Sequence, residues 1–325
     1  MVGGPRSTPA PRRPLVAAVL LPAESAVIRT FHHRDFRLDE LIRLKRERGE
    51  SVSAVLPARE VADTVGDIVD KLRSLGDLVD QIVVVDAASR DGTAAVAAAH
   101  GAEVHQESEL MPEFGQALGK GDAMWRALAV VEGDLVVYLD ADTRRFPRHF
   151  AIGMLGPLLA YDDVAFVKGF FRRPFTTDEG EERPLDGGRV TELCARPLLS
   201  AFYPELAGFV QPLAGEVAAR RALLERIPFA TGYAIETSML LHVRDLVGVD
   251  AMVQVDLEER RNRHQPLPDL APMAYAVLRV ILERLRREGR LLDDHAPPLQ
   301  TADGRLVQVE VVERPPFISL GAQRP

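Results

Sequence analysis

Two hydrophobic periods alternate along residues 51–142. Short apolar runs that end at polar residues are typical of buried strands, and apolar positions three or four residues apart are typical of amphipathic helices. The pattern predicts strands at 51–56, 81–85, 102–105 and 135–139, separated by helices at 64–75, 93–100 and 121–131. Strands that alternate with helices in this way form a largely parallel, doubly wound α/β sheet with helices on both faces.

The pattern is less regular outside this region. A charged helix is predicted at 38–48, further helices at 190–202, 217–227, 235–247 and 274–287, and a strand at 252–256. Residues 1–14 and 176–189, which are rich in proline, glycine or charge, are predicted to be mobile. Residues 305–312 alternate enough to form an edge strand or an arm that contacts a partner subunit.

Composition excludes several classes of protein. The 325 residues, 46% of them hydrophobic, are enough for one large α/β domain or two smaller ones. The net charge of −8 does not suit nucleic acid, and no apolar stretch approaches the roughly 18 residues that cross a membrane. The single cysteine, Cys194, cannot form an intramolecular disulfide and fits a reducing compartment, so we expect a cytoplasmic protein.

Two carboxylates, Asp140 and Asp142, stand at the end of the strand predicted at 135–139. Ligands of open α/β sheets collect at that edge. Oxygen ligands of this kind can hold Mg²⁺ or Mn²⁺ against a diphosphate. The alternative is that the two aspartates only cap the following turn.

Other polar residues are predicted to reach the same edge. The loop from Pro57 to Glu60 and the loop from Asp86 to Ser89 each follow a strand, and Lys120 stands between two glycines before a helix. Each could be a plain turn, but together they favour a nucleotide site. The chain lacks Gly-x-Gly-x-x-Gly after its first strand, which argues against a Rossmann dehydrogenase. It also lacks the P-loop motif, which argues against a P-loop nucleoside triphosphatase.

The chain resembles GT-A glycosyltransferases, specifically the family that makes glucosyl- or mannosyl-3-phosphoglycerate. The resemblance spans roughly residues 45–270 and is carried by Val55–Ala58, Asp86 with Ser89, Gly119–Gly121, Asp140–Asp142, Gly187–Leu193, Ala195–Leu199, Gln211–Leu213 with Gly215–Glu216, Pro228–Ala230 with Gly232–Tyr233, and Glu236. It implies a GT-A fold with a mostly helical acceptor-binding C-terminal part. The implied reaction is retaining transfer of a hexose from a nucleotide diphosphate sugar to the 2-hydroxyl of 3-phosphoglycerate.

The resemblance also implies an organisation of the chain. A tail (1–14) and an N-terminal helical segment (15–50) would precede a nucleotide-sugar-binding half (51–150). An acceptor-binding and catalytic half (151–270) and a C-terminal helix and arm (271–325) would follow. The resemblance suggests a homodimer, and the composition predicts neither a nucleic-acid nor a membrane partner.

The resemblance assigns site residues. The nucleotide sugar would contact Pro57, Ala58, Arg59, Glu60, Asp86, Ser89, Lys120, Asp140, Ala141 and Asp142. The acceptor would contact Gly188, Arg189 and Thr191, and the catalytic residues would be Asp142, Glu236 and Arg189. The divalent cation, Mg²⁺ or Mn²⁺, would be bound by Asp142 and His264.

The chain departs from the family pattern at two positions. The family histidine falls where this chain has Asn262, so either His264 replaces it through a small shift of the loop or the metal site loses a nitrogen ligand. The glucosyl branch carries Leu-Asn-Glu-Glu after Pro-Ala, whereas this chain has Arg59-Glu60-Val61-Ala62. Because an arginine can bind the O6 and N7 acceptors of guanine, this loop favours GDP-mannose over UDP-glucose.

Two other functions fit parts of the sequence. Leu139–Thr143 matches the Asp-x-Asp-x-Thr motif of haloacid-dehalogenase-type phosphatases, although that motif normally ends the first strand and here follows at least three. A non-catalytic nucleotide-sugar-binding protein on a GT-A fold is the other alternative. Release of phosphate from sugar phosphates would favour the phosphatase, and hydrolysis of the donor would exclude the non-catalytic protein.

Overall fold

The computed structural model describes residues 27–172, 175–176, 182–183, 188–260, 266–291, 299–300, 306–307 and 311–320. Its strands are β1 (Arg29–His32), β2 (Val52–Ala58), β3 (Gln81–Asp86), β4 (Glu103–Gln106), β5 (Leu135–Tyr138), β6 (Phe166–Arg172), β7 (Phe175–Thr176), β8 (Glu182–Arg183), β9 (Val217–Arg220), β10 (Phe229–Ala230), β11 (Met252–Glu259), β12 (Leu299–Gln300), β13 (Leu306–Val307) and β14 (Glu313–Arg314).

The helices lie between and after these strands. They are α1 (Leu38–Arg48), α2 (Val65–Arg73), α3 (Thr93–Ala99), α4 (Lys120–Ala127), α5 (His149–Ala160), α6 (Arg196–Phe202), α7 (Arg221–Leu224), α8 (Ile235–Val247) and α9 (Leu267–Arg287), with a π-helical turn at Thr191–Ala195. Among the described residues, no helix is both long enough and apolar enough to cross a membrane.

The fold is organised around an eight-stranded sheet of order β1-β11-β6-β9-β5-β2-β3-β4. Neighbouring strands are parallel except β9, which is antiparallel to both β5 and β6. One apolar layer packs α4, α8 and α9 on one face, and a second packs α1, α2 and α5 on the other. The predicted fold class is confirmed: the sheet is mostly parallel and is flanked by helices.

The predicted elements agree best with the structure between residues 51 and 142. The helix predicted at 217–227 is wrong, because Val217–Arg220 forms β9 and only Arg221–Leu224 is helical. Its small apolar residues suit a helix by propensity. The segment nevertheless lies between two strands, where ladder hydrogen bonds override that propensity. The hydrophobic pattern did not reveal β1, α5 or β6.

The C-terminal segment packs on its own chain. Strand β14 pairs antiparallel with β10. Arg314 donates to both carboxylate oxygens of buried Asp122 at 2.8 and 2.9 Å, and Trp125 donates to the Pro315 carbonyl at 3.0 Å. Residues 308–310 of the predicted arm, and the tail at 1–14, lie outside the described residues. The homodimer stays a prediction.

Asp122 also fixes the turn that presents Lys120. Its Oδ2 accepts a hydrogen bond from the Leu118 backbone at 2.9 Å. A Cβ on Gly121 would lie 2.0 Å from the Ala230 carbonyl oxygen, so only glycine allows α4 to approach β10 this closely. The N-terminus of α4 is therefore held by backbone contact on one side and by an ion pair on the other.

We predict that Arg314→Met lowers the free energy of unfolding by about 2 kcal/mol, because it removes two charge-assisted hydrogen bonds from buried Asp122, which keeps Arg126 as its other cation. Arg287→Met is the matched control. Arg287 also pairs with the C-terminal segment, through Glu313, but it is largely exposed, and it should cost less than about 1 kcal/mol. Denaturant unfolding measures both values, and equal losses would contradict this assignment.

Candidate active site

The carboxyl ends of the central strands bring the predicted polar residues to one edge of the sheet. Ala58 ends β2 in register with Asp86, which ends β3. Asp140 and Asp142 follow β5, the other neighbour of β2. The strand-end arrangement expected from the sequence therefore forms.

Arg260, which follows β11, joins three carboxylates. Its Nη1 donates to Asp140 Oδ2 at 2.7 Å and to Glu216 Oε1 at 2.9 Å, and its Nη2 donates to Asp142 Oδ1 at 2.6 Å. The guanidinium also lies 5.3 Å from the ring centroid of Phe171. Burial by itself would lower the pKa of Arg260, but the three carboxylates raise it, so the side chain stays charged.

Lys120 is a second cation in the same cluster, and its side chain is 22% exposed. It opens α4 and donates to Asp140 Oδ1 at 2.6 Å and to Glu236 Oε1 at 3.0 Å. Burial opposes the charged lysine, but both carboxylates raise its pKa. Burial would likewise raise the pKa of Asp140, whereas Lys120 and Arg260 hold it well below its usual value. Asp140 is therefore ionised between two cations.

Gly215 leaves room for this cluster. A Cβ at that position would lie 2.3 Å from Asp140 Oδ1. Any other residue would have to displace the carboxylate. The loop that leads into β9 therefore approaches Asp140 with its bare backbone.

Asp142 differs from Asp140 in its exposure. Its side chain is 53% exposed, and the hydrogen bond from Arg260 engages its Oδ1. Both oxygens of Asp140, in contrast, are bound by cations. An outward carboxylate at a strand end has the donor chemistry that Mg²⁺ and Mn²⁺ prefer, so Asp142 fits such an ion. Asn262 and His264 lie outside the described residues.

The loops after β2 and β3 are tied to each other. Ser89 Oγ accepts from the Glu60 backbone at 2.8 Å, and Glu60 Oε1 accepts from the Arg90 backbone at 2.9 Å. Glu60 and Ala88 both have positive φ, 53° and 54°. Strained backbone of this kind clusters at binding sites. At the end of β2, Pro57 is half-buried and Ala58 is buried, and Arg59, which follows, is exposed.

Asp86 lies at the base of these loops. Its Oδ2 accepts from the Ser89 backbone at 3.1 Å and from Gln106 at 3.0 Å. Its Oδ1 is buried and has no hydrogen-bond partner within the described part of the chain. A buried acceptor without a donor is costly unless a ligand supplies one. Asp86 is therefore suited to accept a hydrogen bond from a bound molecule.

Glu107, next to this base, was not among the residues predicted from sequence. It is 4% exposed. Burial raises the pKa of Glu107 to about 7, as does Asp122, whereas Arg126 and Arg59 oppose the rise. Arg59 therefore lies within electrostatic reach of Glu107, on the side of the sheet edge where Asp86 stands.

The predicted acceptor residues begin the π-helical turn. Gly188 has a φ of +82°, and its carbonyl accepts from the Glu192 backbone at 3.1 Å. Arg189 is half-buried and Thr191 is buried. Their contact with an acceptor stays a prediction. Ala141 is buried, and its carbonyl accepts from Thr64 Oγ1 at 2.7 Å, a structural contact.

Three further charged residues of the cluster were missed: Glu216, Arg260 and Lys168. Polarity patterns normally place such residues on the surface. The one signal was a lysine inside the apolar run of β6, Phe-Val-Lys-Gly-Phe-Phe. A charge at a buried strand position requires partners or a function.

Comparison with known proteins gives concordant matches. Residues 53–202 match the model of glycosyl transferase family 2. Glucosyl-3-phosphoglycerate synthase of Petrotoga mobilis is 38% identical over 306 residues, which cover 90% of this chain and 94% of that protein. The enzyme of the same name from Mycolicibacterium paratuberculosis is 44% identical over 239 residues, 73% of each chain.

Solved structures are similar over nearly the whole chain. Mannosyl-3-phosphoglycerate synthase from Rubrobacter xylanophilus has a TM-score of 0.81 and 53% identity, covering 90% of this chain and 96% of its own. Glucosyl-3-phosphoglycerate synthase from Mycobacterium tuberculosis, in complex with Mn²⁺, UDP-glucose and phosphoglyceric acid, has a TM-score of 0.80 and 37% identity, covering 90% and 99%.

Proposed function

The chain belongs to the family of glucosyl- and mannosyl-3-phosphoglycerate synthases, and on this premise we propose the reaction that it catalyses. A hexose is transferred, with retention, from a nucleotide diphosphate sugar to the 2-hydroxyl of 3-phosphoglycerate. The observation that carries the proposal is the cluster of Asp140, Asp142, Glu236, Lys120 and Arg260 at the sheet edge. Its alternating charges suit a diphosphate donor.

The cluster suggests a role for each residue. Asp142, with a ligand from the segment after Arg260, would hold a divalent cation, which supplies neutralisation of the negative charge on the departing diphosphate. Lys120, at the N-terminus of α4, would bind a phosphate oxygen as a point charge. Glu236, in the first turn of α8, would orient the hydroxyls of the sugar.

We propose that Arg189 binds the acceptor. A guanidinium can bind a carboxylate or phosphate through two parallel hydrogen bonds. The Gly188 amide and the Thr191 hydroxyl would add further donors. The left-handed conformation of Gly188 supports such a turn, in which backbone amides face a bound anion.

The two alternative functions lose their support. The Asp-x-Asp-x-Thr sequence of a phosphatase should end the first strand, but β1 to β4 precede it here. The relatives at 38–44% identity are transferases. The intact cluster of charges argues against a protein that only binds the donor.

We propose GDP-mannose as the preferred donor, with UDP-glucose as the weaker one. Arg59 is exposed at the end of β2 and within electrostatic reach of Glu107, so it stands beside the loops expected to hold the nucleoside. Guanine presents O6 and N7 acceptors that an arginine can bind. Both sugars occur in the names of similar proteins.

We predict that transfer requires a divalent cation and that Asp142→Ala lowers kcat at least about 100-fold, because charge on the leaving diphosphate is no longer neutralised. Asp142→Asn, which keeps an acceptor for Arg260, should lose nearly as much. The exposed Asp67→Ala on α2 is the control and should keep full activity. Full activity of the wild type in excess EDTA would refute the requirement for a metal.

We predict that GDP-mannose is used better than UDP-glucose, about ten- to a hundred-fold if Arg59 makes one charge-assisted hydrogen bond to the base. Arg59→Ala should narrow this ratio. Arg90→Ala, an exposed arginine on the next loop, should leave it unchanged. The measurement is a matrix of nucleotide sugars against 3-phosphoglycerate, with the product identified by NMR. Strict dependence on UDP-glucose would show that Arg59 does not select the base.

A further inference from the structure

Lys168 is a buried lysine that the roles above leave unassigned. It lies in β6, is 1% exposed, and its Nζ has no hydrogen-bond partner within the described part of the chain. Burying an ammonium group without hydrogen bonds is strongly unfavourable, so such groups are rare. An unpartnered ammonium next to an active site therefore indicates a functional requirement.

Sheet register places Lys168 on the face of the sheet that α4 covers. Lys168 pairs with Val217, which pairs with Tyr138, so the three side chains share one face of the sheet. That face carries α4, because Tyr138 Oη donates to the Met124 carbonyl at 3.0 Å. Lys168 thus points toward the layer that contains Lys120.

The electrostatics identify the carboxylate that interacts most strongly with Lys168. Burial lowers the pKa of Lys168 to about 8. Glu236 opposes this most strongly, followed by Glu216 and Asp140, while Lys120 adds to the lowering. Among the carboxylates, Glu236 therefore interacts most strongly with Lys168. Glu236 is the carboxylate that Lys120 now holds.

We propose that Lys168 is a positioning residue: a second ammonium that holds Glu236 when Lys120 turns toward the donor's diphosphate. The inference rests on the proposed function in assuming that a nucleotide diphosphate enters the cluster. Asp140 and Glu236 take two of the three N–H groups of Lys120, so Lys120 has to release one carboxylate to bind the diphosphate through more than one N–H group.

Asp140 and Glu236, the two carboxylates that Lys120 holds, differ in the hydrogen bonds that they would keep without it. If Lys120 leaves, Asp140 keeps its hydrogen bond from Arg260 at 2.7 Å. The hydrogen bond described for the Glu236 carboxylate comes from Lys120. A buried carboxylate that loses its cation is strongly destabilised, so donor binding would be penalised unless another cation replaced Lys120. Lys168 is buried on the same face of the sheet and interacts electrostatically with Glu236, so it is the candidate for that replacement.

A double-mutant cycle of Lys168→Met and Glu236→Gln tests the proposal. Calorimetry with Mn²⁺ measures the Kd of GDP and UDP, and a transfer assay measures kcat. In Lys168→Met, Lys120 stays bound to Glu236, so Kd for nucleotide should rise about tenfold and kcat should fall by a similar factor. In the Glu236→Gln background, the neutral amide needs no cation, and the same substitution should change Kd less than about threefold.

Two controls separate this role from a structural one. Lys45→Met removes another buried lysine, which pairs with Asp80 on α1's side of the sheet; it should lower stability without changing nucleotide Kd. If Lys168→Met does not fold, Lys168→Gln replaces it in the cycle. A thermal unfolding scan of each variant shows whether the native state is retained.

The outcomes are distinct. An unchanged nucleotide Kd in Lys168→Met, or the same loss in both backgrounds, would overturn the role of Lys168 and leave the proposed function intact. Absence of hexose transfer by the wild type with every nucleotide sugar would refute the proposed function. Nucleotide calorimetry would still decide whether Lys168 supports Glu236.

Discussion

The architecture of the site depends on one guanidinium. Arg260 binds Asp140, Asp142 and Glu216, which come from the ends of β5 and the start of β9. Three carboxylates this close would repel one another and shift toward their protonated forms. A planar cation with several fixed N–H groups can satisfy all three, which a flexible ammonium cannot do in the same geometry. The three carboxylates can therefore share one compact cluster.

The sheet topology makes this convergence possible. Strand β9 runs antiparallel between β5 and β6, so its N-terminus lies beside the C-terminus of β5. Glu216 and Asp140 meet there, and Gly215 leaves space for the Asp140 side chain. Because two cations already bind Asp140, the more exposed Asp142 is the carboxylate that is open to a further ligand.

The sequence predicted the parts of the molecule that are determined locally. The alternation of strands and helices from 51 to 142 predicted the parallel half of the sheet. The ends of those strands predicted Asp86, Asp140 and Asp142 as site residues. The pattern failed at Val217–Arg220, where two neighbouring strands determine the conformation of residues with helical propensity. It also failed for charged residues that are buried only by tertiary contacts, such as Glu107 and Lys168. Of these two, only Lys168 left a signal in the sequence, as a lysine inside the apolar run of β6.

The central claim is that the planar fork of Arg260, beyond its charge, organises the carboxylates. The most direct measurement is kcat/KM for hexose transfer by Arg260→Lys, with Arg221→Lys as the control at a partly buried arginine that pairs with Glu225. We expect Arg260→Lys to remain folded and to lose at least about 100-fold in kcat/KM, while the control stays near wild type. Activity of Arg260→Lys within about threefold of wild type would contradict the account.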